Sequence, residues 1–142
     1  MAKPPILLLT KQDAWSQHAG HVAQLLLPHC IWEQGRVGDA PRESFGLAAY
    51  SAVISFLSPW IVPADLLARS ALSINFHPGS CDYPGTGCYN FALYEEATQF
   101  GPVCHHMLPK VDSGTVIAET LFEVTAQDTV ETLKLRTMID ML

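Results

Sequence analysis

The sequence predicts an α/β fold in which a mainly parallel sheet carries helices on both faces. Two observations lead there. Short apolar runs alternate along the chain with stretches of helical spacing. Within those runs the apolar residues are consecutive rather than alternating, as in strands buried on both sides. The 142 residues, 49% hydrophobic and 15% charged, have the length and composition of one domain with its own core.

Each element can be justified in order. Ile6-Leu7-Leu8-Leu9 is an apolar run between Pro5 and Thr10-Lys11, which predicts a buried strand. From Asp13 to Leu27 the residues Trp15, Ala19, Val22, Ala23 and Leu26 recur at helical spacing, and Pro28 ends the helix. Cys30-Ile31-Trp32 begins a second strand, residues 35–45 read as a polar loop, and residues 48–50 as the end of a short helix. Residues 52–57 (AVISFL) form the clearest strand, stopped by Ser58-Pro59. A helix opening with proline in its first turn is expected over 63–71. A strand over 72–76 follows, then a helix capped by Thr86 and running to about Thr98. Strands are expected over 101–107 and 115–124. Asp128-Thr129-Val130-Glu131 has the spacing of a capping box for a last amphipathic helix. Strands alternating with helices imply right-handed crossovers, and such sheets bind ligands beyond the carboxyl ends of their strands.

Composition excludes several functions. Net charge is −6, and the eight Lys and Arg are scattered from Lys3 to Arg136, with no basic stripe to neutralise a phosphate backbone. Nucleic acid is not an expected partner. No apolar run approaches the roughly 20 residues of a membrane helix. The segment MAKPPILLLT has no signal-peptide pattern, so no membrane association and a cytoplasmic location are expected. The four cysteines show no C-x-x-C spacing and read as reduced thiols.

The residues that carry chemistry cluster at strand ends. The stretch INFHPG ends one strand with Asn75 and His77, CHHM (residues 104–107) lies on a later one, and Asp112 opens the turn DSG. Alone, Asn75 would merely end a strand by bonding local backbone, and Asp112 would start an Asx turn. His77, His105 and Asp112 could also be read as three N/O ligands of a zinc site. His105 and His106 must face opposite sides of their strand.

Together these segments resemble the folate-dependent formyltransferase family, whose pattern is N-x-H at a strand end and D-x-G about 35 residues later. Here His77 and Asp112 stand 35 apart. ISFLSPWIVP, INFHPG, YPGTGCYNFALYEEA and CHHM-x-x-KVDSG look most like sugar N-formyltransferases, and the likeness runs from about Ala52 to Val124. It implies a Rossmann-like fold, with residues 1–142 forming a single, minimal catalytic domain. Family members usually carry a further strand–helix segment where residues 35–51 lie here.

The resemblance also implies the chemistry. Formyl would pass from 10-formyltetrahydrofolate to a primary amine, most nearly that of a nucleotide-linked amino sugar, and no metal is expected. Asn75 and protonated His77 would donate to the oxygen that gains charge, and Asp112 would support the imidazole and help remove the amine proton. Leu57, Ser58, Trp60, Ile61, Lys110 and Val111 would form the folate pocket. Lys11, Arg36, Tyr83 and His105 are candidates for substrate contact. Alternatives within the resemblance are hydrolysis of 10-formyltetrahydrofolate, formylation of a purine precursor or of methionyl-tRNA, and a folate-binding module without turnover. Apolar residues on the last turn, ending at Met141-Leu142, suggest a homodimer.

Overall fold

The structure is a computed structural model and describes residues 3–46 and 49–142. Its elements in chain order are β1 (Ile6–Lys11), α1 (Ala14–Leu26), β2 (Cys30–Gly35), a 3₁₀ turn (Glu43–Gly46), β3 (Ala52–Phe56), α2 (Ala64–Ala68) and β4 (Ser73–His77). There follow α3 (Cys88–Tyr94), β5 (Gln99–Phe100), β6 (Val103–His106), β7 (Val116–Glu119), β8 (Phe122–Glu123) and α4 (Val130–Met141). Six strands form one sheet in the order β2-β1-β3-β4-β6-β7. The first four are parallel, and β6 and β7 are antiparallel. The mainly parallel, Rossmann-like sheet is as the sequence predicts.

Both faces of the sheet are covered because successive residues of the parallel strands point to opposite sides. Leu7, Leu9 and Val53 pack on one face with Trp60, Val62 and Leu66. Leu8 and Phe56 pack on the other with Met138 and Met141 of α4, and Trp15 and Ala19 of α1 join them. A third cluster joins Phe100, Ala92 of α3 and Leu133 of α4. Among the described residues no helix is long and apolar enough to cross a membrane.

Several boundaries differ from expectation, each for a tertiary reason. The helix expected over 63–71 ends at Ala68, because Ser70 and Ala71 pair with Tyr50 beside the sheet. Tyr50 therefore belongs to a bridge rather than to a helix, and Ala48 lies outside the described residues. Thr86 does not cap α3. The chain enters that helix through Gly87 in the left-handed region, φ 82°, and leaves it at Tyr94. The strand expected over 101–107 is β6, while that expected over 115–124 is divided into β7 and β8, and β8 pairs with β5 as a separate antiparallel ribbon. Thr129, not Asp128, is the N-cap of α4, in a capping box with Thr132. Asp128 instead accepts from the Thr125 amide, the Thr132 hydroxyl and Arg136.

Candidate active site

Three neighbouring elements and one turn build the site. Asn75 and His77 stand two positions apart on β4, so they share a face. Ser55 of β3 is the Cα partner of Asn75 on one side, and His105 of β6 is its partner on the other. Directly opposed residues point the same way, so Ser55, Asn75 and His105 form a row across the sheet. Asp112 reaches this row from the turn after β6, with φ at 52°. That left-handed conformation suits a short polar side chain. The turn closes tightly on β6: a Cβ on Gly114 would overlap the His106 carbonyl.

Asp112 is the hub, with a side chain 9% exposed. Its Oδ1 lies 3.3 Å from His105 Nε2 and 3.4 Å from Asn75 Nδ2. Its Oδ2 accepts from the Gly85 amide at 2.8 Å and lies 3.7 Å from His77 Nδ1. Carbonyl oxygens only accept, which assigns protons on both imidazoles. His77 donates from Nε2 to the Tyr83 carbonyl at 2.9 Å, leaving Nδ1 facing Asp112. His105 donates from Nδ1 to the His106 carbonyl at 2.8 Å. Its Nε2 then has two exclusive options. Unprotonated, it accepts from Asn75 Nδ2 at 3.3 Å; protonated, it donates to Asp112.

These groups stand in the wall of a cleft of about 490 Å³, which also takes in Ser55 and the segment 57–62. Leu57, Ser58, Trp60, Ile61 and Val111 line it, as does Lys11, whose Nζ is paired with Asp13 Oδ2 at 3.0 Å. Three residues named from the sequence stand elsewhere. Lys110 is exposed and does not line the cleft, its carbonyl accepting from the Ser113 hydroxyl. Arg36 is exposed and turned to the Gln12 side chain at 2.7 Å. Tyr83 points away, its hydroxyl donating to Glu95. Conversely, Ser55, Cys88 and Tyr89 line the cleft without having been singled out. Burial raises the titration of the Cys88 thiol and the Tyr89 phenol, so both stay protonated at neutral pH.

A second cavity of about 160 Å³ lies against the same His77, His105 and Asp112 and is completed by Ser80, Cys81 and Val116. The Ser80 hydroxyl is buried there with no hydrogen-bond partner.

The formyl transferase family model matches residues 47–139, which include every residue of this cluster. The chain belongs to the formyl transferase family. Solved structures with the same fold include a Mycobacterium tuberculosis protein provisionally described as a sugar N-formyltransferase, at TM-score 0.81 and 20% identity over 97% of this chain. The chain spans 62% of that protein's length. Glycinamide ribonucleotide transformylase 1 from Symbiobacterium toebii aligns at TM-score 0.74 and 17% identity, over 98% of this chain and 82% of its own. A formyltetrahydrofolate deformylase from Pseudomonas syringae pv. tomato aligns at TM-score 0.73 and 15% identity, over 97% of this chain and 58% of its own. Comparison with the curated proteins finds no match.

Proposed function

We propose that this formyl transferase family member moves a formyl group from a 10-formyltetrahydrofolate to the primary amine of a small molecule, with an amino sugar as the acceptor class. The observation that carries the reading is the convergence of Asn75, His77 and Asp112 at one wall of the cleft. The size and lining of the cleft support a flat-ringed donor as its ligand. Its volume falls in the range of about 300–1,000 Å³ usual for ligand sites. Its mouth carries exposed apolar Ile61, Leu108 and Val111. Segment 57–62 lies outside regular strand and helix, so its backbone polar groups, apart from those of Trp60 that bond the Ser58 hydroxyl, are not committed to a strand or helix ladder.

The chemistry follows from the side chains. When amine nitrogen bonds to the formyl carbon, negative charge moves to the formyl oxygen. An N–H of Asn75 and His77 carrying a proton on Nδ1 meet that charge, and one such donor is worth about 3 kcal/mol. His77 serves through Nδ1 because Nε2 is already committed to Tyr83. Asp112 accepts the amine proton, which returns to the donor nitrogen as its bond to the formyl carbon breaks. The contacts to Asp112 Oδ1, 3.3 and 3.4 Å, are long for charge-assisted hydrogen bonds.

Hydrolysis of the same donor is the second reading, favoured by the cavity behind the site. A volume of about 160 Å³ against Asp112 and His105 has room for a few waters at ~30 Å³ each. Incubation with 10-formyltetrahydrofolate, with and without a panel of amino sugars, separates the two. Amine-dependent formylated product supports transfer, amine-independent deformylation supports hydrolysis, and folate binding without turnover removes both.

A further inference from the structure

The turn between β4 and α3 grips both partners of the His77–Asp112 pair from behind, and does so with backbone groups. The Tyr83 carbonyl accepts from His77 Nε2 at 2.9 Å, and the Gly85 amide donates to Asp112 Oδ2 at 2.8 Å. The turn closes on itself through the Tyr83 amide and the Ser80 carbonyl at 2.9 Å. A shift of this one segment would therefore move the imidazole and the carboxylate together.

What holds the turn lies outside the cleft. The Tyr83 hydroxyl donates to Glu95 Oε2 at 3.1 Å at the end of α3, while its ring packs on fully buried Phe100 with centroids 6.0 Å apart. On the other side, the Cys81 amide donates to Glu119 Oε1 of β7 at 2.9 Å. Burial, then the Glu95 carboxylate, raises the Tyr83 titration, so the phenol remains a donor at neutral pH. Surface loops are ordinarily the mobile part of a domain. Here two exposed carboxylates tie the loop by charge-assisted bonds, which are roughly twice as strong as neutral ones.

We infer that Glu95 and Glu119 are positioning residues: through the Tyr83 hydroxyl and the Cys81 amide they fix turn 80–86, and thereby hold His77 with its Nε2–H on the Tyr83 carbonyl and Nδ1 toward Asp112. Neither carboxylate touches the cleft. The turnover arm of the test rests on the formyl-transfer reading; the spectroscopic arm does not.

The full chain is compared as wild type, Tyr83→Phe, Glu95→Ala, Glu95→Gln, Glu119→Ala and the Tyr83→Phe/Glu95→Ala double variant, with Glu131→Ala as a surface control. Tyr83→Phe keeps the ring on Phe100 and removes only the bond. Two readouts are taken: kcat and KM for the formyl donor, and the imidazole nitrogen spectrum of His77. Displacement of a catalytic group by 1 Å can cost about a hundredfold, and loosening a tether should cost less. Tyr83→Phe, Glu95→Ala and Glu119→Ala should each lower kcat by about 5–20-fold with KM unchanged. The double variant should be no worse than the poorer single, since both remove one bond. Glu95→Gln, which keeps an acceptor, and Glu131→Ala should stay near wild type. The His77 spectrum should show Nε2 protonated and hydrogen-bonded in a single environment in wild type and a mixture of environments in Tyr83→Phe. An unchanged spectrum in Tyr83→Phe and Glu95→Ala, or kcat within twofold of wild type, overturns the inference. Should wild type itself turn over no donor, the proposed function fails, and the spectra alone decide the tether.

Discussion

Asp112 divides its oxygens between two sets of partners: Asn75 and His105 at Oδ1, the Gly85 amide and His77 at Oδ2. Asp112→Asn would keep the shape but lose the charge and the proton acceptor. It should lower kcat by about 10²–10³-fold while donor affinity changes little, as should His77→Ala. Parallel loss of turnover and affinity, read by single-turnover kinetics and equilibrium binding, would contradict those roles. At this scale the sequence was legible wherever a residue ended a strand or opened a turn. Asn75, His77 and Asp112 are marked by their C-terminal neighbours: Phe76-His77-Pro78, Pro78-Gly79 and Ser113-Gly114. His105 carries no such mark, because its place opposite Asn75 depends on β6 running antiparallel to β4. Nothing local to residues 103–106 encodes that pairing. Arg36 and Lys110 stand outside the cleft wall, Arg36 turned to Gln12 and Lys110 exposed.

Elements were legible in type and order, less so in extent, because their ends are set by distant contacts. Pro102 stands between β5 and β6, and a Cβ on neighbouring Gly101 would overlap the Thr120 carbonyl. The Gly101-Pro102 pair, a turn-forming dipeptide, and the close approach of Thr120 separate β5 from β6. The approach of turn 108–114 to β6 gives a prediction. Gly114→Ala must push the Asp112 loop off the His106 carbonyl, so turnover should fall at least tenfold with the far-UV circular dichroism spectrum retained. Full activity would show that the loop can yield. The start of α4 gives another. The Thr125 amide, and then the Thr132, Arg136 and Thr125 side chains, lower Asp128 from 3.8 to about 2, against a cost of burial. A carboxyl whose folded value lies below its unfolded one stabilises above the unfolded value and loses that contribution as pH falls toward the folded one. Asp128→Ala should therefore cost about 1–2 kcal/mol at pH 7, and the gap from wild type should close between about pH 4 and pH 2. Urea denaturation across that window checks it, and a pH-independent gap would contradict it.

At the scale of the whole molecule, the sheet order reverses at β1, flanked by β2 and β3. The cleft opens at the carboxyl ends, from Lys11 on β1 to Asp112 beyond β6. Parallel pairing of the first four strands sends their carboxyl ends one way, and antiparallel β6 sets His105 beside Asn75, with Asp112 returning to them on the turn that follows. The expectation of a homodimer rests on apolar residues of the last turn of α4, where Met141 is buried but Ile139 and Leu142 remain exposed. Light scattering that finds a monomer throughout the micromolar range would count against it.

The central claim is that this wall carries a formyl carbon from donor to amine. The most direct measurement follows a ¹³C-labelled formyl carbon by NMR, using wild type and Asp112→Asn with the donor and an amino sugar. The account predicts that the label arrives on the amine nitrogen with wild type and arrives at least a hundredfold more slowly with Asp112→Asn. Label transfer at equal rates in the two proteins, or no loss of label from the donor with wild type, would contradict it.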